Sequence, residues 1–220
     1  MDRGRLEAFS DGVFAVAITL LVIDLAIPEP GHGALGGQLA NHWPSFAAYA
    51  VSFFTIGIIW VNHHNLVRNF TAVDRPLLFL NLLLLFFVVT IPFATATMAA
   101  YLRDGGADAP LAAVIYQGVL LGMSLAFGTL FWWSIRHRYL AIPLTSAAAR
   151  TALIRFGIGN LAYAAAIGVA YLSAPASLLV SALVGLYYMF EHTPTSGSEP
   201  AGGETAESEP PAGRRETADG

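Results

Sequence analysis

Only 12% of the 220 residues are charged, so polar side chains set inside the long apolar runs are the candidates for chemistry. Near the start stand Arg5, Phe9, Ser10 and Asp11, with Asp24 further along; a second group comprises Trp60, Asn62, His63 and His64, and Asn81 follows. Asp11 could complement a helix N-terminus that Ser10 caps, bind a cation, or pair with Arg5, since a carboxylate inside an apolar phase needs a partner. His63 and His64 invite a metal reading. Adjacent helical residues diverge by about 100°, however, whereas metal-binding histidines on a helix sit three or four apart. The pair therefore reads as a hydrogen-bonding element inside a helix bundle, with no metal and no cofactor. Acid–base catalysis would need a second acid on a matching helix face, and none is evident, so the chain is not expected to be an enzyme. The absence of cysteine excludes disulfides, thiolate nucleophiles, iron–sulfur clusters and cysteine zinc sites.

The elements that must carry these residues follow from composition. With 55% hydrophobic residues and a mean hydropathy of +0.59, the sequence is too apolar for a soluble domain, where about a quarter of residues are charged. A helix crosses the hydrocarbon core with roughly 20 apolar residues, and six such helices fit. The first runs from about Phe9 to Ile27 and stops at Pro28-Glu29-Pro30-Gly31, which cannot continue a helix. The second runs from Trp43-Pro44 to about Val67, the third between Arg75 and Arg103, and the fourth between Asp108 and Arg136. Phe156 to Phe190 is uncharged over 35 residues, about 52 Å as one helix against a core of about 30 Å. Broken at Ser173-Ala174-Pro175-Ala176-Ser177, this run is a hairpin: its first arm is capped at Thr145 or Ser146 and its second spans about Ala176 to Phe190. Gly118, Gly122, Gly128, Gly157, Gly159, Gly168 and Gly185 read as close-packing positions between helices. The fold class is all-α, a polytopic membrane protein with six transmembrane helices per chain.

Charge sets the topology. Arg3, Arg5, Arg68, Arg75, Arg136, Arg138, Arg150 and Arg155 fall on one side and only Arg103 on the other, which by the positive-inside rule makes both termini cytoplasmic. Arg3 and Arg5 are followed by Glu7 and Asp11, with no small-residue cleavage site before Pro28, so the first helix does not read as a signal peptide. The membrane domain takes residues 1–190. Residues 191–220 carry seven acids and two arginines; made otherwise of Pro, Gly, Ser, Thr, Ala and one His, they read as a disordered acidic cytoplasmic tail. The basic residues are all Arg and, apart from the Arg214-Arg215 pair, scattered singly, so no nucleic-acid partner is expected. A lysine-free, Ala- and Arg-rich composition suggests a bacterial plasma membrane.

The run Arg5-x-x-x-Phe9-Ser10-Asp11, opening an apolar helix, resembles the signature of the lysosomal potassium channel family (transmembrane protein 175) in its bacterial six-helix form. Trp60-Val61-Asn62-His63-His64 is similar to the family as well, and the resemblance covers about Arg5 to Phe190. It implies a potassium-permeable cation channel, a homotetramer in membrane lipid. The first helix of each of four subunits would line the pore, and bulky aliphatic rings would make its hydrophobic constriction. Carried over by position, those rings are Val16, Leu20 and Ile23, with a hydroxyl ring at Thr19; Val16 departs from the family's usual Ile or Leu, which could widen the pore. At about 100° per residue, with Asp11 at zero, Thr19, Ile23, Val16 and Leu20 form one stripe between about 80° and 180°. Asp11 points away from its centre, toward neighbouring helices of its own subunit; Arg5 is its obvious partner, with the polar groups of Trp60, Asn62, His63, His64 and Asn81 as further candidates. Leu21 and Val22 fall off the stripe and read as packing positions. No Thr-Val-Gly-Tyr-Gly carbonyl filter occurs, so an apolar constriction that wets and dewets takes its place. Asp24 reads either as a cation lure at the pore mouth or as an interfacial charge.

A small secondary transporter of cations or a small solute is the alternative, with Asp11 and Asp24 binding the coupling ion. Internal repeats and helices broken at midspan, the marks of such transporters, are not visible in the sequence.

Overall fold

The computed structural model describes residues 2–23, 25 and 33–190. Its helices are α1 (Arg3–Leu20), α2 (Leu35–Asn41), α3 (Trp43–Arg68), α4 (Arg75–Asp104), α5 (Ala109–Arg136), α6 (Ser146–Leu172) and α7 (Ala174–Phe190). Six are long, in the places the uncharged runs assign them, and α3 to α6 are each long and apolar enough to cross a membrane. Asp24, the Pro28–Gly31 stop and the tail at 191–220 lie outside the described residues.

The helix boundaries have local causes. Pro44 and Pro76 occupy first-turn positions of α3 and α4, where a missing N–H costs no hydrogen bond. Asp74 Oδ1 caps α4 by accepting from the Leu77 amide at 2.9 Å. Thr145, of the two caps considered for α6, accepts from the Ala148 amide at 3.2 Å. Ser173, extended at φ −161°, ends α6, and its hydroxyl accepts from the Ala176 amide at 3.3 Å to start α7. Three boundaries depart from expectation. The first helix begins at Arg3 rather than Phe9, because its charged first two turns extend beyond the apolar run. Its regular part ends at Leu20, after which Ile23 N–H bonds to the Leu20 carbonyl and Leu25 N–H to that of Val22, the tighter i to i−3 pattern common at helix ends. The seven-residue α2, which contains Gly36 and Gly37 and no buried residue, carries no apolar periodicity that would announce it.

α1 lies against α3 and α4; α4 packs on α3 and α5, α5 on α6 and α7, and α7 returns to α3. Phe14, Ile56, Leu84, Ile91, Tyr116, Leu120, Phe127 and Leu130 fill the centre. Of the glycines read as close-packing positions, two fit that role strictly. A Cβ on Gly122 would run into the Phe87 ring, and one on Gly159 into the Tyr188 hydroxyl. Gly128 and Gly185 make ordinary contacts, while Gly118, Gly157 and Gly168 face open space.

At the arginine-rich end, the α3–α4 and α5–α6 loops are clipped together. Phe70 and Leu140 form an isolated antiparallel bridge, with Thr71 N–H to the Tyr139 carbonyl and Ala141 N–H to the Asn69 carbonyl, both 2.7 Å. Arg3 joins from α1, donating to the Arg68 carbonyl at 3.0 Å. Arg103 lies at the opposite end, beside Asp104.

Candidate functional site

α1 presents two faces of opposite character. Leu6, Ser10, Phe14, Ala17 and Leu21, spaced three or four apart, are buried and form the stripe that packs on α3 and α4. Ser10 belongs to a chain of hydrogen bonds crossing three helices. His63 on α3 meets Asn81 on α4 through Nε2 and Oδ1 at 2.7 Å; Asn81 Nδ2 donates to Ser10 Oγ at 3.1 Å, and Ser10 donates to the Leu6 carbonyl at 2.8 Å. The Asn81 oxygen can only accept, so His63 carries its proton on Nε2, and every link runs in one direction. All three side chains are buried, where an unmade hydrogen bond is expensive.

Beside this chain, Asp11 accepts from the Trp60 indole through Oδ1 at 2.9 Å. Its other oxygen stands 3.6 Å from His64 Nδ1, and Glu7 Oε1 is at the same distance from that nitrogen. Sequence reasoning missed Glu7. It lies one turn before Asp11, in a part of α1 that precedes the apolar run, and an i, i+4 pair shares a helix face. The second acid on a matching face is therefore present. Arg5 is exposed on α1, and among the described residues it forms no ion pair with Asp11; the carboxylate turns inward to Trp60 and His64 instead. Phe9 is also exposed. Asn62 lines a cavity of about 30 Å³ between α3, α5, α6 and α7, with Thr55, Ser124 and Tyr163, large enough for a water molecule.

The opposite face of α1 is free of its own subunit. Val16, Leu20 and Ile23 are exposed by 55%, 40% and 71%, and Thr19 is exposed between them. The Thr19 hydroxyl donates back to the helix, to the carbonyls of Ala15 at 3.0 Å and Val16 at 2.9 Å, leaving lone pairs outward. Leu21 is buried as expected, whereas Val22 is exposed by 52% and does not pack inside the subunit. The tightened turn after Leu20 rotates the chain away from a 100° count.

Residues 5–92 match the profile of the endosomal/lysosomal potassium channel TMEM175. A potassium channel of Streptomyces collinus is 47% identical, over 91% of this chain and 98% of that one. The chain belongs to the TMEM175 family. A potassium channel of Chamaesiphon minutus is 35% identical over 85% of this chain and 93% of its own. The crystal structure of a lysosomal potassium-selective channel TMEM175 homolog from the same organism superposes with a TM-score of 0.75 at 32% identity, covering 85% of this chain and 96% of that one. The TMEM175 membership makes this an all-helical, multi-pass membrane protein of a family of channels rather than of enzymes. The profile match takes in α1, α3 and the first half of α4, the three helices that the polar chain ties together.

Proposed function

We propose that the chain is one subunit of a potassium-permeable cation channel in a bacterial plasma membrane, with the first helices of four copies around the pore. The observation that carries this reading is the two-faced α1. One side is held to α3 and α4 by the chain from His63 through Asn81 to Ser10, while the other leaves Val16, Thr19, Leu20 and Ile23 uncovered. The sequence holds one copy of this helix, so a ring of them needs several chains. Aliphatic rings at Val16, Leu20 and Ile23 would form a constriction whose conduction depends on wetting. Thr19, having given its proton to the backbone, would offer a ring of oxygen lone pairs, the polarity a cation needs. The homologues named potassium channels support potassium as the permeant ion. Both termini would be cytoplasmic, on the arginine-rich side.

The test is potassium flux into liposomes containing the purified full chain. Flux down a potassium gradient with no second solute is expected, and a strict requirement for a coupled ion or solute would replace the channel by a transporter.

A further inference from the structure

Glu7 and Asp11 on α1 and His64 on α3 bring two carboxylate oxygens and one imidazole nitrogen within 4.8 Å of one another. His64 Nδ1 lies 3.6 Å from each acid, too far for a hydrogen bond. That nitrogen has almost no exposed surface and no hydrogen-bond partner, although it points between two acceptors. Two ligands bound about 2.1 Å from a tetrahedral zinc stand about 3.4 Å apart. Two edges of the triangle therefore already have nearly the length that a metal ion would impose. The Trp60 indole holds Asp11 Oδ1 and so turns Oδ2 toward His64, the orienting role that an outer hydrogen bond plays around metal ligands.

We propose that Glu7, Asp11 and His64 form a binding site for a divalent transition-metal ion of the zinc type, clamping α1 to α3. Two carboxylates and a neutral imidazole balance the ion's charge, and the mixed N/O set suits zinc better than the all-oxygen shells of magnesium or calcium. The three side chains are 23%, 33% and 28% exposed, so an ion can enter from water and keep a water molecule in its fourth position. The effect on flux, though not the site itself, rests on the reading of α1 as the pore helix: a clamp between α1 and α3 resists any displacement of α1 that opening requires.

The full-length chain, stripped with a chelator, is titrated with zinc chloride by calorimetry, and potassium flux is followed in liposomes with and without zinc. One zinc per chain is expected, with X-ray absorption showing mixed N/O ligation near 2.0–2.1 Å. Glu7→Gln and His64→Gln should each weaken binding at least tenfold, while magnesium should not compete. Glu7→Gln is the safer variant, because the Glu7 carboxylate makes no described hydrogen bond that holds α1 in place. Binding of unchanged affinity in Glu7→Gln, or no saturable zinc binding by the wild type, overturns the site. Zinc should also lower flux in the wild type and lose that effect in Glu7→Gln, each protein compared with its own zinc-free rate. Zinc binding that Glu7→Gln abolishes, with no effect on wild-type flux, supports the site and counts against α1 as the moving pore helix.

Discussion

The direction of the hydrogen bonds from His63 through Asn81 to Ser10 makes Asn81 the link between the α3 and α1 ends of the chain, accepting from His63 and donating to Ser10. Replacing Asn81 by Leu keeps its volume roughly but leaves the His63 N–H without an acceptor in a buried site, a cost of about 1–3 kcal/mol in proteins. Interhelical hydrogen bonds in membranes are worth less, about 0.6 kcal/mol on average and about 1.7 at most. Thermal unfolding in detergent should therefore show Asn81→Leu destabilised by about 1–2 kcal/mol, with Ser10→Ala milder because Asn81 loses only one of its two bonds. An unfolding midpoint of Asn81→Leu equal to wild type would mean that the chain is not a structural tie. Asp11→Asn should act in the same sense, reducing folded yield, because the Trp60 indole then donates to a neutral amide instead of a carboxylate and loses a charge-assisted bond; a well-folded assembly with merely altered ion preference would contradict it. These anchors were legible in the sequence because Ser10, Asn81 and His63 are polar residues in apolar runs, where only a mutual contact can satisfy them. The pairing itself was not legible. Arg5 looked like the first partner of Asp11 by proximity along the chain, whereas helix packing selects Trp60 and His64 from the other candidates, and Glu7 was not read as a site residue because a helix defined by hydrophobicity starts too late to include it.

At the scale of elements, the loop clip at the arginine-rich end depends on Asp74. Burial acts to raise the Asp74 pKa, but the Leu77 amide, the Tyr139 hydroxyl, the Trp133 indole and the nearby His137 together hold it below the ordinary carboxylate value. Bonds of 3.0 Å from Tyr139 and 3.3 Å from Trp133 reach the same oxygen, Oδ2. Burial, then the hydrogen bond and the charge of Asp74, push the Tyr139 hydroxyl up in turn. A depressed carboxylate pKa contributes stability that is full above the unfolded value of about 3.9 and is lost as pH falls through the folded one. Acid unfolding of the wild type below about pH 4 should therefore contain an Asp74 contribution that Asp74→Asn removes; parallel stability profiles of the two proteins between pH 3 and 6 would show that the clip is not charge-dependent. Helix positions were readable from the sequence to within a few residues wherever a proline, a cap or a charge marks the end, as at Pro44, Asp74 and Thr145. The departures, at α2 and at the tightened turn beyond Leu20, occur where backbone hydrogen bonding alone decides and no side chain signals the change.

For the whole molecule, the decisive matter is what covers the uncovered face of α1. A single helix with Val16, Leu20 and Ile23 exposed by 55%, 40% and 71% is at home in lipid, so exposure alone does not distinguish a lipid face from a pore face. The two differ in their response to a polar side chain. On a lipid face, an amide at position 23 costs insertion energy and leaves flux unchanged; in a ring of four, it replaces apolar surface by groups that can stand in for water, lowering the cost of hydrating the constriction. Ile23→Asn should raise potassium conductance and reduce discrimination against sodium. The control belongs at Leu21, which is 2% exposed and packs inward; Leu21→Asn should lower folded yield without opening the pore. Val22, exposed by 52%, is not a packing position and makes a second comparison, one residue away on an uncovered part of the turn. Native mass spectrometry of the three variants should give the same assembly as the wild type, four times the 23.4 kDa chain if the proposed ring of four holds, because the ties between α1, α3 and α4 lie within a subunit. Conductance that rises at Ile23 and stays at the wild-type level at Val22 would place the constriction on the stripe. Equal changes at positions 22 and 23, or none at 23, would move the ion pathway to another surface of the bundle.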